Sequence, residues 1–381
     1  MFAIRHATLL TPEDSVADAL VLIDEGRIAA VDAADASPPE GVVVRDATGL
    51  LLAPGFIDLQ LNGGFGLDFT ADPTTIWDVA AALPRFGVTA FLPTIITSPP
   101  AGARAAQRVL AAGPPAGWRG ARPLGLHLEG PFLNPGKKGA HNPAYLRHAS
   151  AADINGWSPA TGVRLVTLAP ELSWAGQAIT ELARRGVVVS AGHSLATFDE
   201  AAAGFDAGAR YATHLFNAMP TLHHREPGLV AAALADPRVT VGLIPDGLHV
   251  HPALVRLLWQ WLGPDRLNLV SDAMAAMGMP PGAYVLGDFH VTVDDDSARL
   301  GNGTLAGCVL SLDAVWRAFL GFSGATPAAA LPTVTTTPAR LLGLDDRLGR
   351  VAPNYDADLV LLSPDLRVVE TFVGGESVYR G

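Results

Sequence analysis

Cysteine is nearly missing. Cys308 is the only one in 381 residues, which excludes an intramolecular disulfide framework and fits a reducing compartment. Charge is scarce too: 17% of residues are Asp, Glu, Lys or Arg, against 49% hydrophobic, a balance far from that of disordered chains. Basic residues are the minority, 26 against 37 acidic, for a net charge of −11. The chain therefore lacks the footprint of a general nucleic-acid binder. A local cluster of Arg, His and Lys can still hold a small anion, because distant carboxylates are screened over about 10 Å. No apolar run reaches the roughly eighteen residues of a membrane span, and the start, MFAIRHATLLTPEDS, has no sustained apolar stretch behind a basic flank. What is left is a globular chain with a large core, expected to be cytoplasmic and without membrane or nucleic-acid partners.

The two ends read as short strands. ALVLIDEGRIAAV (19–31) places two apolar runs around Asp24-Glu25-Gly26, a hairpin pattern, and 357–381 holds three strand candidates with turns at Ser363-Pro364-Asp365 and Gly374-Gly375. Between them a strand followed by a helix recurs. Eight apolar runs, at 55–61, 88–96, 122–130, 163–170, 187–193, 211–217, 239–247 and 267–273, match the number that closes a parallel barrel. Helical patterns such as 173–186 and 197–208 separate most of them, two more follow at 309–322 and 327–343, and 283–305 reads as a β-hairpin insertion. The expected fold class is α/β: a (β/α)8 TIM-type barrel over 54–344, with a small β-sandwich built from 1–53 and 345–381.

In a parallel barrel the strand C-termini share one face. Strand three ends in Glu129, strand five in His193, strand six in His214 and strand eight in Asp272. Glu with two His is a ligand set for zinc or a similar divalent ion, with a position left open for water. A carboxylate beside such an ion can take the water proton and return it to a leaving group, which suits Asp272. Any one of these residues alone has an ordinary explanation, such as a hydrogen-bonded core histidine or a helix cap. Four together on one predicted face point to metal-assisted hydrolysis.

The segments GLHLEGPFLNPGKKGAHNP (125–143), SAGHS (190–194), THLFNAM (213–219), REPG (225–228), DGLHV (246–250), SDAMAAMG (271–278) and GTLAG (303–307) resemble, in order and spacing, the N-acetylglucosamine-6-phosphate deacetylases of the amidohydrolase superfamily. The resemblance runs from about Pro54 to Gly307. It implies that Glu129, His193 and His214 bind the metal, that Asp272 is general base and then acid, and that His141 polarises the acetyl carbonyl. It also implies sugar contacts from Ala140, Asn217, Ala218 and Leu305-Ala306-Gly307, and phosphate contacts from Arg225 and His249 within Asp246-Gly247-Leu248-His249. The implied substrate is a phosphorylated amino sugar, and the implied assembly is a homodimer in which Arg225 can reach the neighbouring site. Departures count too. Where many amidohydrolases carry His-x-His for a second metal, this chain has Gln60-Leu61-Asn62, and strand four ends at Pro170-Glu171 without the lysine that bridges two metals in some relatives. One metal is expected, Zn2+ first, with Fe2+ or another divalent ion open. Cys308 stands where serine is common. The galactosamine epimer, another amide hydrolysis, and a non-catalytic binding protein on this scaffold remain open.

Overall fold

The computed structural model describes residues 1–11, 15–32 and 38–381. All eight apolar runs contain barrel strands: Phe56–Leu61, Val88–Ile96, Leu126–Glu129, Val163–Leu168, Val188–Ala191, Tyr211–Ala212, Thr240–Leu243 and Leu267–Leu269. Neighbours pair in parallel around the ring. The seam between the first and last strands is fastened by Asp272 N donating to Gln60 O at 2.9 Å and Asn62 N to Ala273 O at 2.8 Å. Strands buried on both faces must be apolar throughout, which is why they read as unbroken runs in the sequence.

The helices return the chain to the far side of the barrel. Thr197 opens Phe198–Asp206 with a capping box, its hydroxyl accepting from Glu200 N while the Glu200 carboxylate accepts from Thr197 N. The stretch expected to be helical over 327–343 is instead three short turns, Pro327–Ala330, Leu331–Val334 and Thr336–Leu341. Pro332 and Pro338 each remove an N–H that a continuous helix would need. The insertion is a three-stranded sheet, Gly282–Leu286, Phe289–Val293 and Ala298–Arg299.

Both termini meet in one mixed eight-stranded sheet. Leu51–Pro54 lies between Phe2–Leu10 and Leu359–Leu362, joining N-terminal to C-terminal strands. The sheet curls: Ile28 N donates to Tyr355 O, and Ala357 N to Gly26 O, both at 2.9 Å, and its two leaves enclose a core that includes Ile4, Val21, Ile28, Leu359 and Phe372. Arg122 of the barrel bonds Asp356 and Asp358 beneath this sheet.

Inside the barrel a belt of buried hydroxyls lies under the strand ends. Thr94 Oγ1 meets His127 Nδ1 at 3.3 Å, His127 Nε2 meets Thr167 Oγ1 at 2.7 Å, and Thr213 joins Thr167 at 2.8 Å and Ser190 at 2.5 Å. Each polar group satisfies the next, so five strands are cross-linked by direct side-chain hydrogen bonds. Burial drives the His127 pKa down to about 4, so this ring stays neutral within the belt.

Candidate metal and catalytic site

Glu129 Oε1 lies 3.1 Å from His193 Nε2 and 3.1 Å from His214 Nε2, and the two ring nitrogens are 3.1 Å apart. Ligands about 2.0–2.2 Å from a tetrahedral zinc sit about 3.3–3.5 Å from each other, close to this triangle. The His193 tautomer agrees with a cation. His193 Nδ1 bonds Lys137 O at 2.9 Å, so it carries a hydrogen and turns Nε2 toward Glu129, the arrangement a metal-ligating imidazole adopts. Two imidazoles and a carboxylate aimed at one point repel unless positive charge sits among them. The three are buried and are the only such grouping among the described residues.

The backbone is unusual where these side chains converge. His193, His214 and Asp272 have φ of 48°, 29° and 46°, and Phe216 and Ala218 are also left-handed. Non-glycine residues are rarely held there, and clusters of them mark functional sites. This geometry ends the sixth strand at Ala212, well short of the 211–217 run. Gly307 comes equally close. A Cβ there would lie 2.8 Å from Asp272 O, at a φ of 76°.

Around the triangle, every carboxylate has a donor. Gln60 Nε2 donates to Glu129 Oε1 at 3.0 Å and Asn62 Nδ2 to Asp272 Oδ1 at 2.8 Å. The amides that replace His-x-His thus orient the two acids. Burial opposes charge on Glu129, yet the bonds to His193 and His214 hold its pKa well below the ordinary carboxylate value. Burial, then the Glu129 charge, push Asp272 up to about 6, close to the pH at which a general base works well. His141 is held by Thr97, whose backbone N–H donates to Nδ1 at 3.3 Å and whose hydroxyl lies 2.8 Å from it. An accepting Nδ1 assigns the proton to Nε2, 3.9 Å from Glu129 Oε2. Burial, then the His193 charge, lower the His141 pKa to about 3, so it acts as a neutral donor.

A cleft of about 520 Å3 opens over these groups. Asn62, Glu129, His141, His193, His214 and Asp272 line it, with Ala140, Asn217, Ala218, His249, Leu305 and Gly307. Asp246 does not line it. It anchors His249 instead, accepting from the backbone N at 2.8 Å and meeting Nδ1 at 2.6 Å. Gly247 and Leu248 lie outside the cleft, Ala306 is tied to Ala298 O at 2.9 Å, and Arg225 is on an exposed loop beside His223 and His224. His251 caps the helix Pro252–Arg266. Sequence reading missed Thr97, which orients His141, and the insertion residues Arg299, Asn302 and Thr304, which also line the cleft. Arg299, two residues past Ser297 in a polar stretch leading to Gly303, was the one available signal. Lys137 Nζ donates to Met219 O at 2.7 Å, tying the His141 loop to the turn that carries Asn217 and Ala218.

Residues 51–378 match the model of the Amidohydrolase family. The chain belongs to this family. It is 42% identical to the N-acetylglucosamine-6-phosphate deacetylase of Danio rerio over 352 residues, covering 88% of this chain and 86% of that protein. It is 39% identical to the N-acetylgalactosamine-6-phosphate deacetylase of Escherichia coli O157:H7, covering 98% of each. Among solved structures, the N-acetylglucosamine-6-phosphate deacetylase of Pasteurella multocida superposes with a TM-score of 0.92 at 32% identity over the whole of both chains. An aspartate-to-alanine variant of the Mycobacterium smegmatis enzyme, in complex with N-acetyl-D-glucosamine-6-phosphate, does so with 0.90 at 35% identity over 99% of each. The barrel, the terminal sheet and the resemblance seen in the motifs all agree with this membership. No helix among the described residues is long and apolar enough to cross a membrane.

Proposed function

We propose that this chain hydrolyses the acetamide of N-acetylglucosamine 6-phosphate to glucosamine 6-phosphate and acetate. The observation that carries the reading is the Glu129, His193 and His214 triangle beside a proton-accepting Asp272 and a proton-donating His141 in one cleft. Similarity to the deacetylases of several animals and bacteria supports the substrate. Glu129, His193 and His214 would hold one divalent ion, Zn2+ by the chemistry of the donor set. Bound there, such an ion would lower the pKa of its water to about 7 and would polarise a carbonyl.

The protein's own groups supply the rest. Asp272 takes the proton of the attacking water. His141 Nε2–H donates to the acetyl oxygen as negative charge gathers on it in the tetrahedral intermediate. Asp272 then passes its proton to the sugar nitrogen, the C–N bond breaks, and acetate and the amine leave. Asn217, Ala218, Leu305 and Gly307 meet the sugar, and His249, fixed by Asp246, meets the phosphate. Because Arg225 lies outside the cleft of its own chain, its phosphate role requires a homodimer that carries it to the neighbour's site. The reading also places the enzyme in the cytoplasm and divides the chain into the barrel at 54–344 and a terminal unit of 1–53 with 345–381.

A second substrate, the galactosamine epimer, is favoured by the relative that covers 98% of this chain. The test is metal analysis of the purified protein alongside acetate release from both phosphorylated epimers and from the unphosphorylated sugar. One metal per chain and fastest release from N-acetylglucosamine 6-phosphate are expected. Equal rates without the phosphate would remove His249 and Arg225 from the scheme, and no release from any of the three would refute the reading.

A further inference from the structure

A second, larger cleft of about 710 Å3 lies beside the catalytic one, between the helix Pro100–Ala112 and the segment 147–161. Its floor is the ends of the second and third barrel strands, at 95–98 and 128–131. Leu128, Pro131 and Trp157 give it an apolar wall. Three guanidiniums line it, Arg104, Arg108 and Arg147, against one carboxylate, Asp153. Asp153 is already engaged with Arg147 at 2.9 Å and Ser150 at 2.6 Å. Arg104 and Arg108, four apart and so on one face of their helix, have no hydrogen-bond or ion-pair partner among the described residues. Although the chain carries a net charge of −11, these two exposed arginines stand over the cavity with no carboxylate paired to them among the described residues. Guanidinium forks match phosphate oxygens, and the apolar wall suits the carbon body of a small molecule.

We infer that this cleft is a second anion site, which takes a small phosphate monoester between Arg104, Arg108 and Arg147. Its floor gives it a route to the chemistry. Ile96 lines both clefts. Thr97, in the floor of the second, contacts His141 Nδ1 in the first through its backbone N–H and its hydroxyl. An occupant that shifts Thr97 therefore turns the His141 ring, and turnover changes more than substrate binding.

Glucose 6-phosphate, which has no acetamide to cleave, is the probe. Amide hydrogen exchange on the full-length, metal-loaded protein should show protection of the segments 97–112 and 147–157 when it is added. The double variant Arg104→Ala with Arg108→Ala should lose that protection, binding the probe at least about tenfold more weakly there, while protection around His249 persists. Protection confined to the catalytic cleft, or unchanged in the double variant, would overturn the site. This readout needs no turnover, so it is independent of the proposed deacetylation. For the coupling, saturating probe should change kcat for acetate release at least about twofold in the wild type, and not in the double variant. Inhibition that is purely competitive, with kcat equal in both proteins, would overturn the link to His141.

Discussion

In the proposed reaction Asp272 must accept a proton and yet hold still, and its two oxygens separate these tasks. Oδ1 is occupied by Asn62 at 2.8 Å, which leaves Oδ2 for the water. Replacement by Asn keeps the shape but removes the base, so Asp272→Asn should retain bound metal and lose about 10²–10⁴-fold in kcat. Metal content by elemental analysis with acetate release checks both halves, and full activity would refute the assignment. His141 poses a subtler demand. Its donor nitrogen is fixed by what Thr97 does to the other one, so Thr97→Val should lower kcat by about tenfold or more through misaligned hydrogen bonding, with KM nearly unchanged. The corresponding Thr97→Ser, which restores the hydroxyl, should recover most of the loss. The grouping of Glu129, His193, His214 and Asp272 was legible in the sequence because all four end apolar runs on one predicted face, although each alone has an ordinary explanation. Thr97 was not, since a threonine at the end of a β-rich run is ordinary. The same holds for Gln60 and Asn62, whose absence from the metal set could be read while their role as donors to the acids could not.

At the scale of elements, positioning depends on where strands stop. The sequence marks strand starts and helix stops well, because apolar runs and glycines are local signals. It marked the sixth strand too long, because the left-handed backbone at His214 and Phe216 is imposed by the site rather than by residue preference. It joined three turns into one helix at 327–343, where the prolines that broke it were visible but the 3-10 geometry that absorbs them was not. The element that follows His193 shows how far stability and chemistry can be separated. Thr197 and Glu200 satisfy each other's backbone donors at the start of Phe198–Asp206, outside the catalytic cleft. Thr197→Ala should destabilise the fold by about 0.5–2 kcal/mol while leaving kcat within error. Denaturant midpoint and acetate release, measured on the same preparation, check this. A loss of kcat exceeding the loss of folded protein would mean that the helix start also sets the His193 turn.

For the whole molecule, the terminal sheet and the barrel were both legible from the contrast between short paired strands at the ends and the strand-helix alternation in the middle. The curl that closes the sheet on itself was not, since it depends on contacts between residues more than 300 apart, such as Ile28 with Tyr355. The site is a similar long-range closure. Glu129 ends the third strand and His193 and His214 follow the fifth and sixth, so a cation held among them would cross-link the barrel mouth, adding to the hydroxyl belt beneath. Removing it leaves a buried carboxylate and two imidazole nitrogens crowded within 3.1 Å of one another, so the stripped protein should be less stable as well as inactive. An ion present at one hundred times its dissociation constant stabilises the folded state by about 2.7 kcal/mol. Dialysis against a chelator should therefore lower the thermal midpoint and abolish acetate release, and stoichiometric Zn2+ should restore both together. Glu129→Gln weakens the only anionic ligand, so it should show the lower midpoint without responding to added Zn2+. A chelated protein with an unchanged midpoint would mean that the three side chains do not hold a tightly bound ion, whatever their spacing.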